Sequence, residues 1–251
     1  MNLVRIMIIA AGLIFIWQVI VTITGVPPYI LPGPLRVAHA AYAHSGSLFN
    51  HAMTTLFEIV AGLLIGTILG ASSALTMIAS RSLKRWLLPL LVISQAIPVF
   101  ALAPLLVLWL GYGMSSKIAM AVLIIFFPVT AAFYDGLRST EPEWLELARV
   151  MNAKPPAVIR HIRIPAALPA FASGLRVATA VAPIGAIVGE WVGSSKGLGF
   201  YMLQANARMQ IDTMFAALAI LAILALTLYF LVDKTMSKIV YWQLEEKESE
   251  I

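Results

Sequence analysis

Long apolar runs alternate with short polar or basic segments along the whole chain. A helix needs about 20 predominantly apolar residues to cross the hydrocarbon core of a bilayer. Six runs meet that need or approach it: Ile6–Thr24, Met53–Ala79, Trp86–Leu110, Ile118–Phe133, Ala166–Val188 and Met214–Val232. The pattern predicts an all-α membrane protein with six transmembrane helices. The first run could also be a cleavable secretory signal. Its apolar stretch is long for that, and Val26-Pro27-Pro28 follows in place of a small-residue cleavage site, so the reading is an uncleaved first helix.

One polar interruption differs from the rest. Between the fourth and fifth runs, residues 146–165 read Glu-Leu-Ala-Arg-Val-Met-Asn-Ala-Lys-Pro-Pro-Ala-Val-Ile-Arg-His-Ile-Arg-Ile-Pro. Glu143–Met151 can form a short helix, with Glu143 and Glu146 near the end where the helix dipole favours anions. Asn152 is a suitable stop, because Asn tolerates the left-handed conformation better than most non-glycine residues. Pro155 and Pro156 suit the first turn of a second short helix, and Pro165 opens the fifth span. The expectation is a rigid two-helix knuckle that offers Leu147, Val150 and Met151 to a groove on a partner. A plain connector, the other reading, has no need of such capping and apolar content.

Composition supports the membrane reading. Of 251 residues, 61% are hydrophobic and 12% charged, about half the charged share of a soluble domain. There is no cysteine, which excludes disulfides, thiolate metal sites and cysteine nucleophiles. A net charge of +5 would suit a nucleic-acid binder, but the cations sit at the ends of apolar runs rather than in one patch. If the N-terminus is cytoplasmic, twelve Lys and Arg fall on inside segments: Arg5, Arg81, Lys84, Arg85, Arg138, Arg149, Lys154, Arg160, Arg163, Lys234, Lys238 and Lys247. Four fall outside: Arg36, Lys117, Lys196 and Arg208. That bias predicts both termini in the cytoplasm, and the acidic tail Glu245, Glu246, Glu248 and Glu250 weighs little against it.

Within the spans, Gly62, Gly66 and Gly70 form a doubled Gly-x-x-x-Gly that Ala74 continues, and Gly185, Gly189 and Gly193 form a similar series. Small residues at this spacing let helices approach closely, inside one chain or across a dimer. Pro98, Pro104, Pro128 and Pro183 each remove a helical hydrogen bond, and the freed carbonyls must face protein or a wet cavity. Ser94, Gln95, Pro98 and Pro104 lie close together, which marks the third span as a candidate solute pathway. Glu58, Asp135, Arg176 and Glu190 are ionisable residues in or near spans; each is a functional candidate or an interhelical pairing group.

Several chemistries leave no trace. Gly189-Glu-Trp-Val-Gly-Ser-Ser-Lys196 is glycine-rich, but Gly197 follows the lysine where a phosphate-binding loop needs a hydroxyl residue. His39, His44 and His51 share one outside segment at a spacing that fits no metal-binding helix face, and they read as solvated surface. No metal, cofactor or catalytic residues are expected, and the chain is not expected to be an enzyme.

The knuckle also carries a family pattern. Inner-membrane permease subunits of binding-protein-dependent ABC importers have Glu-Ala-Ala, three residues, Gly, nine residues and Ile-x-Leu-Pro. This chain has Glu146-Leu147-Ala148, then Asn152, then Ile162-Arg163-Ile164-Pro165 at the same spacing. It departs from the pattern at Leu147, Asn152 and Ile164. Ile30-Leu31-Pro32-Gly33-Pro34, the stretch Ile97-Pro98 to Gly111-Tyr112-Gly113, Gly174-Leu175-Arg176 and Gly197-Leu198-Gly199-Phe200 resemble the sulfonate/taurine/nitrate branch of that family. Gln95 to Pro104, Ile125 to Thr130 and Gly189 to Ser195 are most similar to permeases for thiamine-precursor pyrimidines such as hydroxymethylpyrimidine.

The resemblance implies a type I ABC importer permease fold in the bacterial inner membrane. It implies a homodimer working with two ATP-binding cassette subunits and an extracytoplasmic solute-binding protein, and no nucleic acid. Glu146, Leu147, Ala148, Asn152, Ile162 and Pro165 would couple to the ATPase. Glu58, Gln95, Phe100 and Glu190 are the pathway candidates. Sulfonate-type relatives tend to carry Arg where this chain has Gln95, and often a base where it has Glu58. A path with fewer cations suits a neutral or weakly basic solute. The alternatives are a sulfonate, taurine or nitrate cargo and, in another class, a stand-alone secondary transporter. The expected organisation is a first helix and extracytoplasmic segment over 1–52, a transmembrane domain over 53–235 with its coupling loop at 136–165, and a tail over 236–251.

Overall fold

A computed structural model describes residues 3–242; the tail acids Glu245, Glu246, Glu248 and Glu250, and Lys247, lie outside the described residues. Among the described residues all regular structure is helical. Helix α1 covers Leu3–Thr24, α2 Pro34–Ala43, α3 Ser45–Ala79, α4 Arg81–Ala96, α5 Val99–Leu110 and α6 Met114–Arg138. Then come α7 Pro142–Val150, α8 Pro155–Val158, a π-helical turn at Ile159–Arg163, α9 Ile164–Gly193, α10 Leu198–Ala207 and α11 Ile211–Ile239. Among the described residues, five helices are long and apolar enough to cross a membrane, or six if the bent α4–α5 pair counts as one span.

That pair carries the proline break expected in the third span, Trp86–Leu110, but as a sharp turn rather than a kink: the two helices meet at 104°. Proline disfavours the helical conformation in the residue before it. Ile97 is accordingly extended, at φ −88° and ψ 118°, and Pro98 follows at ψ 121°. Pro104, Pro128 and Pro183 lie inside helices that continue past them. The short helices α2 and α10 are additions that no apolar run announced.

The core is a three-helix layer of α3, α6 and α9. The first glycine series is spent against α6, and so are Gly185 and Gly189 of the second, whereas Gly193 packs on Val107 of α5. A methyl on Gly62 would fall 2.5 Å from the Ala121 Cβ, one on Gly66 2.8 Å from Ile125 and one on Gly70 3.0 Å from Val129. Both members of each pair advance together, so α3 and α6 run parallel in this contact. On α9, Gly185 packs on Ala121 and Gly189 on Lys117, at 2.7 and 3.1 Å, so α9 runs the other way. Ile59, Ala121, Ile125, Val129, Ala178, Ala182 and Ala186 close the seam. Arg176 reaches α11, where its Nε donates to Asp233 at 2.6 Å, the interhelical pairing that its place in a span allowed. Asp135 makes only a 3.9 Å exposed contact with Arg138.

Candidate functional site

Two places on the bundle concentrate functional chemistry, separated by the length of α9, whose 30 residues rise about 45 Å. The first is the knuckle. Helix α7 ends in a left-handed cap: Asn152 has φ +53°. Its N–H donates to Arg149 O at 3.0 Å, and the Ala153 N–H reaches back to Ala148 O at 2.9 Å. This is the six-to-one and five-to-two bond pair of a Schellman motif. Ala148 is buried at this turn, while Leu147, Val150 and Met151 are 60%, 80% and 72% exposed. Arg163 fastens the knuckle to the bundle by donating to Leu137 O at 3.1 Å.

The second half of the knuckle is not the separate short helix expected from the sequence. Residues 155–193 form one helical run, and Pro165 lies inside it rather than at the start of a span. Proline removes a backbone bond and crowds the carbonyl four residues back. The π turn at Ile159–Arg163 widens the helix at that position. A recess of about 460 Å³ opens between α7 and this run, with Leu147, Ala148, Met151, Ile162 and Pro165 among its lining residues. The structure thus brings four of the six coupling candidates to one recess; Glu146 is exposed beside it, and Asn152 makes the turn.

The second place is a buried polar layer at the other end of α3, α6 and α9. Glu58, Thr55, Glu190 and Lys117 are all buried, at 0%, 0%, 1% and 3% exposure. Gly197 precedes helix α10 and has no side chain to cap it, so the N–H groups at this helix start are capped from other helices. The Gly197 N–H donates to His51 Nδ1 at 3.0 Å and the Leu198 N–H to Thr55 Oγ1 at 2.8 Å. The Gly199 N–H donates to Glu190 Oε2, and Thr55 Oγ1 donates to Glu190 Oε1 at 2.6 Å. Gly197 has φ +108°, and a Cβ there would lie 2.1 Å from the Glu190 carboxyl carbon, so only glycine fits. Lys117 Nζ donates to Tyr112 O, Gly113 O and Gly193 O at 3.0, 2.8 and 2.9 Å, tying the turn before α6 to the end of α9.

Among the four pathway candidates, Glu58 and Glu190 come together in this layer. Phe100, by contrast, is 68% exposed on α5. Gln95 lies on α4, and its side chain is outside the described residues. Sequence reasoning missed Thr55, His51 and Lys117. His51 is not the solvated residue expected: it is half-buried and stacks on Tyr201 at 4.8 Å between ring centroids. Lys117 was read as an outside loop cation. No local sequence signal pointed to it: the register that brings Lys117 into this layer follows from the Gly62–Ala121 contact of the folded bundle.

A helical bundle of this kind, with an exposed two-helix knuckle at one end, is the architecture of a type I ABC importer permease. The chain belongs to the family of binding-protein-dependent transport system inner membrane components, whose sequence profile matches residues 62–238. It is 55% identical over 240 residues to a probable ABC transporter permease protein of Haemophilus influenzae, covering 96% of this chain and 98% of that one. It is 38% identical to the formylaminopyrimidine transport permease ThiX of Halalkalibacterium halodurans, over 92% of each chain. It is 32% identical to a putative aliphatic sulfonates transport permease, SsuC of Bacillus subtilis, over 86% of this chain and 79% of that one. A chain of the MetNI methionine ABC transporter in an inward-facing conformation shares the fold, with TM-score 0.62 and 20% identity over 79% of this chain and 96% of that one. The sequence therefore places the chain among importer permeases of the sulfonate/taurine branch, with a thiamine-precursor permease among its relatives. Such relatives are transport proteins and not enzymes, and the stand-alone secondary transporter falls away.

Proposed function

We propose that this chain forms a homodimeric permease that carries a thiamine-precursor pyrimidine, delivered by an extracytoplasmic binding protein, with ATP hydrolysed on two separate cassette subunits. Both termini and the knuckle face the cytoplasm, as the distribution of Lys and Arg favours. The knuckle is the coupling element. The observation that carries this role is its exposed apolar row, Leu147, Val150 and Met151, held rigid by the Asn152 cap. An exposed apolar row next to a preformed recess costs solubility unless a partner covers it.

In the working cycle, ATP binding draws the cassettes together and moves the two knuckles. The pathway then opens towards the binding protein, and hydrolysis resets it. Each partner drives this change only through its different affinity for the two states. The cargo reading rests on the 38% relative named for formylaminopyrimidine, together with Gln95 and Glu58 in place of cations. The 32% relative named for aliphatic sulfonates favours a second reading, a sulfonate or taurine cargo.

The test is ATP hydrolysis by the reconstituted permease–ATPase complex with its binding protein, offered either a pyrimidine precursor or an alkanesulfonate. Stimulation by the pyrimidine alone supports the proposal. Stimulation by the sulfonate alone keeps the importer and discards the cargo.

A further inference from the structure

Glu58 on α3 and Glu190 on α9 are buried side by side, and a side-chain hydrogen bond joins their carboxyls. An ionised carboxylate only accepts, so two of them cannot make that bond; one of the pair has to carry a proton. The surroundings decide which. Glu190 Oε1 accepts from Thr55 Oγ1 at 2.6 Å, and Glu190 Oε2 accepts from the Gly199 N–H. Donors on both oxygens favour an ionised Glu190. Glu58 has no such support: no N–H or O–H among the described residues donates to either of its oxygens. A carboxylate in that place would be buried with nothing to replace its lost water. A neutral acid needs only one acceptor, and Glu190 supplies it.

The charges of the layer agree. Lys117 is buried on α6, with its ammonium held by Tyr112 O, Gly113 O and Gly193 O, and its field reaches both carboxyls. His51 accepts the Gly197 N–H through Nδ1, which requires an imidazole without charge at that nitrogen. Lys196, ahead of α10, is exposed to solvent. One buried ammonium balances one buried carboxylate. A second carboxylate would leave the layer with an uncompensated buried charge, which is costly. Two carboxyls held in contact resolve the same conflict elsewhere by sharing one proton.

We propose that Glu58 and Glu190 form a one-proton site inside the membrane domain. Glu58 holds the proton and donates a hydrogen bond to Glu190, which stays ionised and caps the start of α10. Glu58 is therefore a positioning residue, acting through Glu190 on the junction of α9 and α10. The proton is in place below the titration of the pair and is lost as pH rises through it. Its loss sets two carboxylates against each other and loosens the cap.

Infrared spectroscopy of the full-length protein in lipid tests the site directly. Spectra of the parent and of Glu58→Gln at neutral pH are subtracted, in light and in heavy water. The difference should contain the C=O stretch of a neutral carboxylic acid, displaced by deuterium. Carboxylate stretches in its place overturn the proposal.

Thermal unfolding supplies the second readout. The Glu58→Gln amide keeps a donor for Glu190, so its melting temperature should stay close to that of the parent. Glu58→Leu, of similar size and without a donor, should melt lower by about 5 °C or more. The parent should lose melting temperature as pH rises above neutrality, and Glu58→Gln, with no proton to lose there, should lose less. Whatever alkaline loss remains in that variant belongs to Lys117. Failure of Glu58→Gln to fold, or a Glu58→Leu protein that matches the parent in melting temperature and pH profile, overturns the proposal. Neither readout needs transport or a cassette, so this site and the importer reading fail separately.

Discussion

At the knuckle, Leu147, Val150 and Met151 point their apolar side chains at solvent, whereas at the other end of α9 the groups of Thr55, Glu58, Lys117 and Glu190 are shut away from it. The two regions invert the usual placement of chemistry in opposite senses. The knuckle is complete as a backbone, with its Schellman cap and its Arg163 tie, and incomplete as a surface. The polar layer is complete as a surface, and its bonds hold α10, the α5–α6 turn and α9 to α3 and α6. The contrast teaches that the knuckle's substitutions should register in partner binding and the layer's in stability.

The strongest way to break this comparison is Glu146→Arg. Reversing an exposed charge should leave the melting temperature unchanged yet weaken cassette binding by roughly a hundredfold, about 3 kcal/mol. Co-purification of the ATPase measures it, and wild-type recovery with normal uptake would remove the knuckle's assigned role. Next is Thr55→Val, which strands the Leu198 N–H and one Glu190 oxygen. A buried group left unpartnered costs about 1–3 kcal/mol, so the melting temperature should fall while ATPase recovery holds.

Met151→Ala should do the reverse: stability within about 0.5 kcal/mol, as for other surface positions, and cassette affinity down by about 1–2 kcal/mol, as when an interface anchor is truncated. Titration of the cassette subunit onto the permease decides it. The smallest effect is expected from Asn152→Gly. The left-handed φ costs glycine nothing, so uptake should be kept and stability should change by less than about 1 kcal/mol. A large loss of uptake would mean that the Asn side chain itself is read by the partner.

Much of the fold was legible in the sequence, because a bilayer requires long apolar runs and turns them into helices with their backbone bonds satisfied internally. Asn152 was legible as a helix stop for a local reason, the tolerance of Asn for a positive φ. The bend at Pro98 was half legible. Proline forces Ile97 to be extended, but whether the chain then continues straight or turns by 104° depends on what α5 packs against. The fusion of the second knuckle helix into α9 was missed, since Pro165 reads as a start signal and only the π turn before it lets the helix run through.

For the candidate sites the division is sharper. The knuckle is contiguous in sequence, so local spacing from Glu146 to Pro165 was enough to find it. The polar layer draws on positions 51, 55, 58, 117, 190 and 197–199, which no local pattern connects. By itself the sequence determined that the chain is a helical membrane protein, where its spans lie, and which loop is built to be gripped. Only the tertiary structure decided that Glu190 caps α10, that Lys117 pins the end of α9, and that Glu58 is buried beside Glu190. The physical reason is that hydrophobicity and capping act over a few neighbouring residues. A buried hydrogen bond between helices depends on their mutual register, which here the close approach of Gly62, Gly66 and Gly70 to α6 fixes.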